Sequence, residues 1–300
     1  MKLIFSSLQW MIFLIAGSIV APIAIADLYG LTMEETAGFV QRTMFVLGAA
    51  SILQGLFGHR LPINEGPAGL WWGVFTIYAS LSSALFSSNI ETLQALQGGL
   101  IGSGIVFIML SAFNLIQKIA ALFTPVVLGS YLLLLVLQLS GSFLNGMLGV
   151  GYRQEGIDLP ISLFSLFLII FTIYLSNHRL KWINQYSILI SLFFGWILFS
   201  IFGFAKPVHM EFSTFFQFPE LFAFGYPVFK TELLLTSVFI TLLLITNMIA
   251  SIQLVRIVLQ KEDNDKKRVK RAGFISGINQ LLGGGFAAIG PVPISGAAGF

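Results

Sequence analysis

The chain has 300 residues, of which 56% are hydrophobic and 10% charged, with a formal net charge of +3 and a mean hydropathy of +0.90. So little polar surface cannot coat a soluble globule of this length, and the composition therefore defines an integral membrane protein. Cysteine is absent, which excludes disulfides, thiolate nucleophiles and Cys-based metal sites.

In chain order, apolar windows bounded by polar breaks predict spans near 7–26, 36–57, 66–86, 95–115, 119–139, 160–176, 184–204, 233–258 and 272–288, with a tenth beginning about residue 291. The first window, "SLQWMIFLIAGSIVAPIAIA" from Ser7 to Ala26, has a Lys before it and "AIA" at its end, as a secretory signal does. Its length of about 20 residues is enough to cross the hydrocarbon core, and it is predicted to stay as a span.

Basic residues are retained on the cytoplasmic side of a membrane. With the N-terminus inside, cytoplasmic segments hold eleven Lys and Arg residues, among them Lys2, Arg60, Lys118 and six of residues 261–271, against Arg153, Lys206 and Lys230 outside. Arg42 and Arg256 fall within spans and do not enter this tally. The prediction is a multi-pass protein of the cell membrane with its N-terminus in the cytoplasm. The tract "KEDNDKKRVKR", 261–271, mixes signs between two spans and is predicted to be a topology-anchoring cytoplasmic loop rather than a nucleic-acid patch. The histidines His59, His178 and His209 are scattered, so no metal site is expected.

Two stretches contradict a simple bundle. "LPINEGPAGLWWG", 61–73, puts Pro62, Gly66, Pro67 and Gly69 at the mouth of the third span, and "LLGGGFAAIGPVPISGAAGF", 281–300, repeats a Gly-Pro at the tenth. Pro removes a backbone donor and Gly lowers helix stability, so both stretches are expected to run extended before a helix resumes. Unpaired backbone cannot face lipid, and Gly/Pro-interrupted segments in corresponding places of two halves are the sequence pointer to a transporter's central site. By contrast, "GGLIGSG" at 98–104 reads as a packing device that lets helices approach closely.

Four stretches stand out in order: "SSLQW" with Gly17 and Pro22 in span one, "GHRLPINEGPAG" before span three, "LFTPVVLGSYLLLL" in span five and "INQLLGGGFAAIGPVPISG" near the end. In them the chain resembles the xanthine/uracil permeases, the nucleobase/ascorbate transporter family. The resemblance implies an all-α polytopic fold of two inverted seven-span repeats, with short strands in interrupted spans three and ten. On that frame the chain covers about the first ten spans: residues 1–116 and 231–300 belong to a core domain and 117–230 to a gate domain. The implied function is secondary active transport of a nucleobase, a purine such as xanthine or urate or else uracil, coupled to a proton or sodium ion, with alternating access of core against gate. A homodimer is compatible with it. No cofactor and no nucleic acid enter.

Site residues carry over unevenly. In span eight the family usually offers a glutamate to the base, and "LLITNMIASIQLV" puts Asn247 there with Ser251 four residues on. Asn keeps a donor and an acceptor for a base edge but cannot ionise. In span ten the second usual glutamate is replaced near Ala298 and Gly299. Gly69 at the break, Trp71 as a stacking surface and Gln9 in span one complete the candidate substrate contacts, although Gln9 could equally bond between helices. With both carboxylates missing, Glu65 is the nearest coupling candidate, since a buried carboxylate there could bind a proton; pairing with Arg60 at the rim is the alternative. An anion transporter of the same fold, using half-helix dipoles in place of acids, and a non-transporting receptor are the competing functions. No nucleophile, base and orienting residue stand at catalytic spacing, so an enzyme is not expected.

Overall fold

The computed structural model describes residues 2–120, 125–151, 156–204, 218–260 and 266–294. In chain order it contains α1 (Lys2–Leu28), α2 (Met33–Leu56), β1 (Glu65–Pro67), α3 (Gly69–Leu85), α4 (Asn89–Ala112), α5 (Ile116–Ala120), α6 (Pro125–Leu148), α7 (Leu159–Ser176), α8 (Lys181–Gln185), α9 (Ser187–Ile201), α10 (Thr231–Val258), α11 (Lys266–Gly285) and β2 (Pro291–Pro293). Among the described residues five helices are long and apolar enough to cross a membrane: Trp10–Leu28 of α1, α2, α4, α7 and α10.

Helix starts are fixed by side-chain caps. Thr32 accepts from the Glu35 amide while Glu35 accepts from the Thr32 amide, a reciprocal capping box for α2. Ser88 and Asp158 cap α4 and α7 through the amides of Glu91 and Ile161. Two expectations from the sequence need correction. The seventh window is divided between α8 and α9, with Tyr186 between them. The basic tract is helical from Lys266 onward rather than a loop throughout, because Lys and Arg favour helix and Arg268 Nη1 donates to His59 O at 2.7 Å.

The helices form two compact units, residues 1–17 with 137–217 and residues 18–136 with 218–300. In the first, α7 packs on α9, where the bare Gly195 admits the Leu168 side chain and Phe171 meets Phe194 at 4.8 Å.

In the second, α4 runs between α10 and α11. Its contact with α11 is close: a Cβ on Gly104 would stand 2.7 Å from Gly277 O, and one on Gly284 would stand 2.8 Å from Gln97 O. The 98–104 glycines are therefore the packing device their spacing suggested. Polar bonds pin the same bundle, with Ser103 and Thr241 hydroxyls 2.7 Å apart and Tyr78 and Thr236 hydroxyls 3.1 Å apart. Gln54 of α2 donates to Ala272 O and to Ser276 Oγ of α11.

Candidate functional site

The two Gly-Pro breaks meet. β1 and β2 pair antiparallel with Glu65 opposite Pro293, Gly66 opposite Val292 and Pro67 opposite Pro291. Beyond the strands the Ala68 amide donates to Gly290 O and the Ile294 amide to Asn64 O, both at 2.9 Å. Alternation along an antiparallel ladder makes Gly66 and Val292 the hydrogen-bonded pair, so residues 65, 67, 291 and 293 point their backbone groups away from the partner strand.

Those outward positions are where an exposed two-stranded ribbon would fail inside a membrane. Three of the four are proline and have no N–H to strand. The fourth, Glu65, donates its amide to Ser51 Oγ of α2 at 3.0 Å. The outward carbonyls of β2 are met by side chains: Ser251 Oγ of α10 donates to Pro293 O at 3.2 Å, and Gln280 Nε2 of α11 donates to Pro291 O at 2.8 Å. Composition and tertiary contacts thus answer the outward amide positions of both strands and the outward carbonyls of β2.

Immediately after β1, α3 begins at Gly69, and its N-cap Ala68 has no side-chain acceptor to offer. The first-turn amides of a helix have no intrahelical partner and carry its positive dipole end. They stand at the crossing. Ser251 and Asn247 are one turn apart on α10, hence on one face, and the Ser251 bond turns that face toward β2. Asn247 is half-buried, with an amide able both to donate and to accept.

Glu65 is 5% exposed, and its Oε1 has no hydrogen-bond partner. Its side chain leaves the ribbon on the face it shares with the three prolines, none of which offers a donor. Arg60 is exposed, in a left-handed conformation (φ 55°), with its Nε bonded to Leu56 O; no rim pair with Glu65 forms. Trp71 is fully buried, and its ring lies against a position that glycine leaves open: a Cβ on Gly290 would meet Trp71 Cδ1 at 2.6 Å. Gln9 lies in α1 with its side chain outside the described residues, as are Ala298 and Gly299 altogether.

The structure therefore gathers Glu65, Gly69, Trp71 and Ser251 around one ribbon, with Asn247 one turn before Ser251 on α10. It assigns Ser251 a backbone bond that its spacing did not suggest. Gln280 and Ser51, which seal the ribbon, were missed, since nothing in their local sequence marks them. Arg42 was missed as well, although a charged residue inside an apolar span is itself a signal. Among the described residues no group of three or more His, Cys, Asp or Glu could hold a metal ion.

Several apolar helices enclosing a crossed pair of broken segments, with polar groups converging on it, define a multi-pass membrane protein of the permease class. The comparisons with known proteins agree. The family model for xanthine/uracil permeases, described as a permease family, matches residues 1–300, and the chain belongs to that family. It is 49% identical over its whole length to YwdJ of Bacillus subtilis (strain 168), a candidate purine permease, and spans 69% of that protein. It is 26% identical over 94% of its length to the uric acid permease PucJ of the same organism, spanning 62% of it. Other curated relatives are matched over about half their length. The transmembrane domain of the cyanobacterial bicarbonate transporter BicA shares the fold, with a TM-score of 0.62 at 15% identity over 98% of this chain and 74% of that one. Its relatives are named permeases and transporters, and the chain is not an enzyme.

Proposed function

We propose that this chain forms the greater part of a secondary transporter for a nucleobase, a purine in particular, with the base held at the β1–β2 crossing. The observation that carries this reading is the convergence of an uncapped helix start, Gly69 of α3, with the half-buried amide of Asn247 on one sealed ribbon. A purine edge alternates donors and acceptors, which one amide and a row of backbone N–H groups can match, and Gly69 lets the ring approach the backbone. The naming of YwdJ as a purine permease candidate and of PucJ as a uric acid permease supports the substrate class.

In this proposal residues 1–116 and 231–300 form the core that carries the base, residues 117–230 form the gate except for the 218–230 segment, which is bonded to α4 and α11, and the N-terminus is cytoplasmic. Alternating access moves core against gate. Glu65 is the coupling group: buried, with an unpartnered oxygen and beside the site, it binds a proton on one side and releases it on the other. An anion transporter is the second reading, favoured by the positive helix start with an amide, rather than a carboxylate, at position 247.

The test is uptake of radiolabelled xanthine, urate and uracil into vesicles bearing the full-length protein, with Asn247→Ala alongside. Saturable uptake of a purine, weakened in the variant, is the expected result. Absence of saturable uptake of all three bases would overturn the reading, and inhibition by small inorganic anions would favour the second one.

A further inference from the structure

Arg42 stands in α2, a helix long and apolar enough to cross a membrane, and is only 6% exposed. A charged side chain kept at such a place is costly, and it marks a pathway or ligand more often than a packing need. Its Nε has no hydrogen-bond partner. The guanidinium lies over the ring of Phe224, with Cζ 5.1 Å from the centroid, and folds back over Gly38, where a Cβ would stand 2.9 Å from Nη1. Glu220 acts on it electrostatically but is itself exposed.

Phe224 belongs to the segment that precedes α10, and that segment is held as a strap. Phe222, in a left-handed conformation (φ 51°), donates its amide to Gly285 O at the end of α11. Gln94 of α4 donates to Phe224 O at 2.8 Å and accepts from the Val228 amide at 3.1 Å. Under the strap, Phe39 meets Phe224 at 5.7 Å and Phe75 of α3 at 6.4 Å. A row of aromatic rings thus leads from Arg42 to the helix that begins at the β1–β2 crossing.

We infer that Arg42 and Phe224 form a selectivity site for a planar, negatively charged heterocycle on its way to the crossing. The guanidinium presents a rigid fork of N–H donors that matches two neighbouring oxo acceptors of a flat ring, and the Phe224 ring beneath it holds the fork in place. A ring face alone answers the charge but satisfies none of the donors; an oxidised purine anion satisfies both. The inference rests on the transporter reading, and it assigns charge selectivity to a residue outside the ribbon.

The test compares urate, anionic at neutral pH, with hypoxanthine, which is neutral, using full-length protein in vesicles and, for binding, protection against thermal unfolding in detergent. Arg42→Gln is expected to raise the KM for urate about tenfold or more, the effect of losing a charge-assisted bond, while hypoxanthine stays within about twofold of wild type. Arg42→Lys keeps the charge without the fork and is expected to fall between. Equal loss for both bases, or loss for neither, overturns the inference. If Arg42→Gln does not fold, a wild-type ratio of the two KM values in Arg42→Lys overturns it just as well. If wild type transports neither base but urate protects it and not Arg42→Gln, the transporter reading fails and the site stands; if there is also no protection, both fail.

Discussion

Gly104 of α4 and Gly277 of α11 face each other backbone to backbone: a Cβ on either would stand 2.7 to 2.8 Å from the carbonyl oxygen of the other. Backbone cannot move aside as a flexible side chain can. Gly104→Ala and Gly277→Ala are each expected to lower stability by about 1–3 kcal/mol, as overpacking does. Gly48→Ala on α2, where nothing lies within 4 Å, is expected to gain about 0.5–1 kcal/mol from helix propensity. Thermal unfolding of the three variants in detergent checks the contrast, and equal behaviour would refute the close contact.

The caps on β2 give a second expectation. Ser251→Ala and Gln280→Leu each strip one outward carbonyl of its donor. Each is expected to cost about 0.6–1.7 kcal/mol, the range for hydrogen bonds between membrane helices, and to weaken base binding because the ribbon loosens. Ser251→Thr keeps the hydroxyl but adds a methyl at a fully buried position, so it should hold base binding better than Ser251→Ala while losing stability to overpacking. A Ser251→Ala variant with unchanged stability and altered selectivity among bases would instead make Ser251 a direct substrate contact.

Glu65→Gln tests coupling. The amide matches the carboxyl in shape but cannot bind and release a proton, so concentrative uptake driven by a pH gradient is expected to vanish while exchange of labelled for unlabelled base persists. Retention of gradient-driven accumulation would remove Glu65 from the coupling step.

His59, in the turn between α2 and β1, supplies a pH dependence. It is fully buried, its Nδ1 accepts from the Leu61 amide at 3.1 Å, and burial with the nearby Arg268 holds its pKa down to about 4 from an ordinary 6.5. A lowered histidine pKa means that the unfolded chain takes up the proton first. Stability from the neutral ring is therefore complete above pH 6.5 and drains away as pH falls toward 4. His59→Asn, which keeps an acceptor without a titrating group, is expected to flatten that part of the profile; an unchanged acid slope would show that other groups carry it.

Much of this architecture was legible in the sequence. The apolar windows anticipate the helices, and the breaks at Pro67 and Pro291 fall where the strands lie, because Pro and Gly act locally through missing donors and weak helix propensity. What pairs with what was not legible. The register that sets Gly66 against Val292, and the reach of Gln280 to Pro291 O, are tertiary facts with no local pattern. Lys266 to Arg271 misled for the converse reason, since their charge suggests a loop while their propensity is helical. Arg42 was visible as an oddity, but its place over Phe224 depends on a strap that comes more than 170 residues later.

The prolines that silence the outer edges of the ribbon also impose a timetable. Gly66 finds its partner Val292 only after a further 226 residues have been made, roughly 10–45 s at usual synthesis rates of about 5–20 residues per second. During that interval the inner edge of β1 has no strand to bond, while its outer edge, lacking the Pro67 amide, gives passing chains little to grip. Nascent β1 is therefore a single-sided template, protected from mispairing on one flank and dependent on water, chaperone or insertion machinery on the other until β2 emerges.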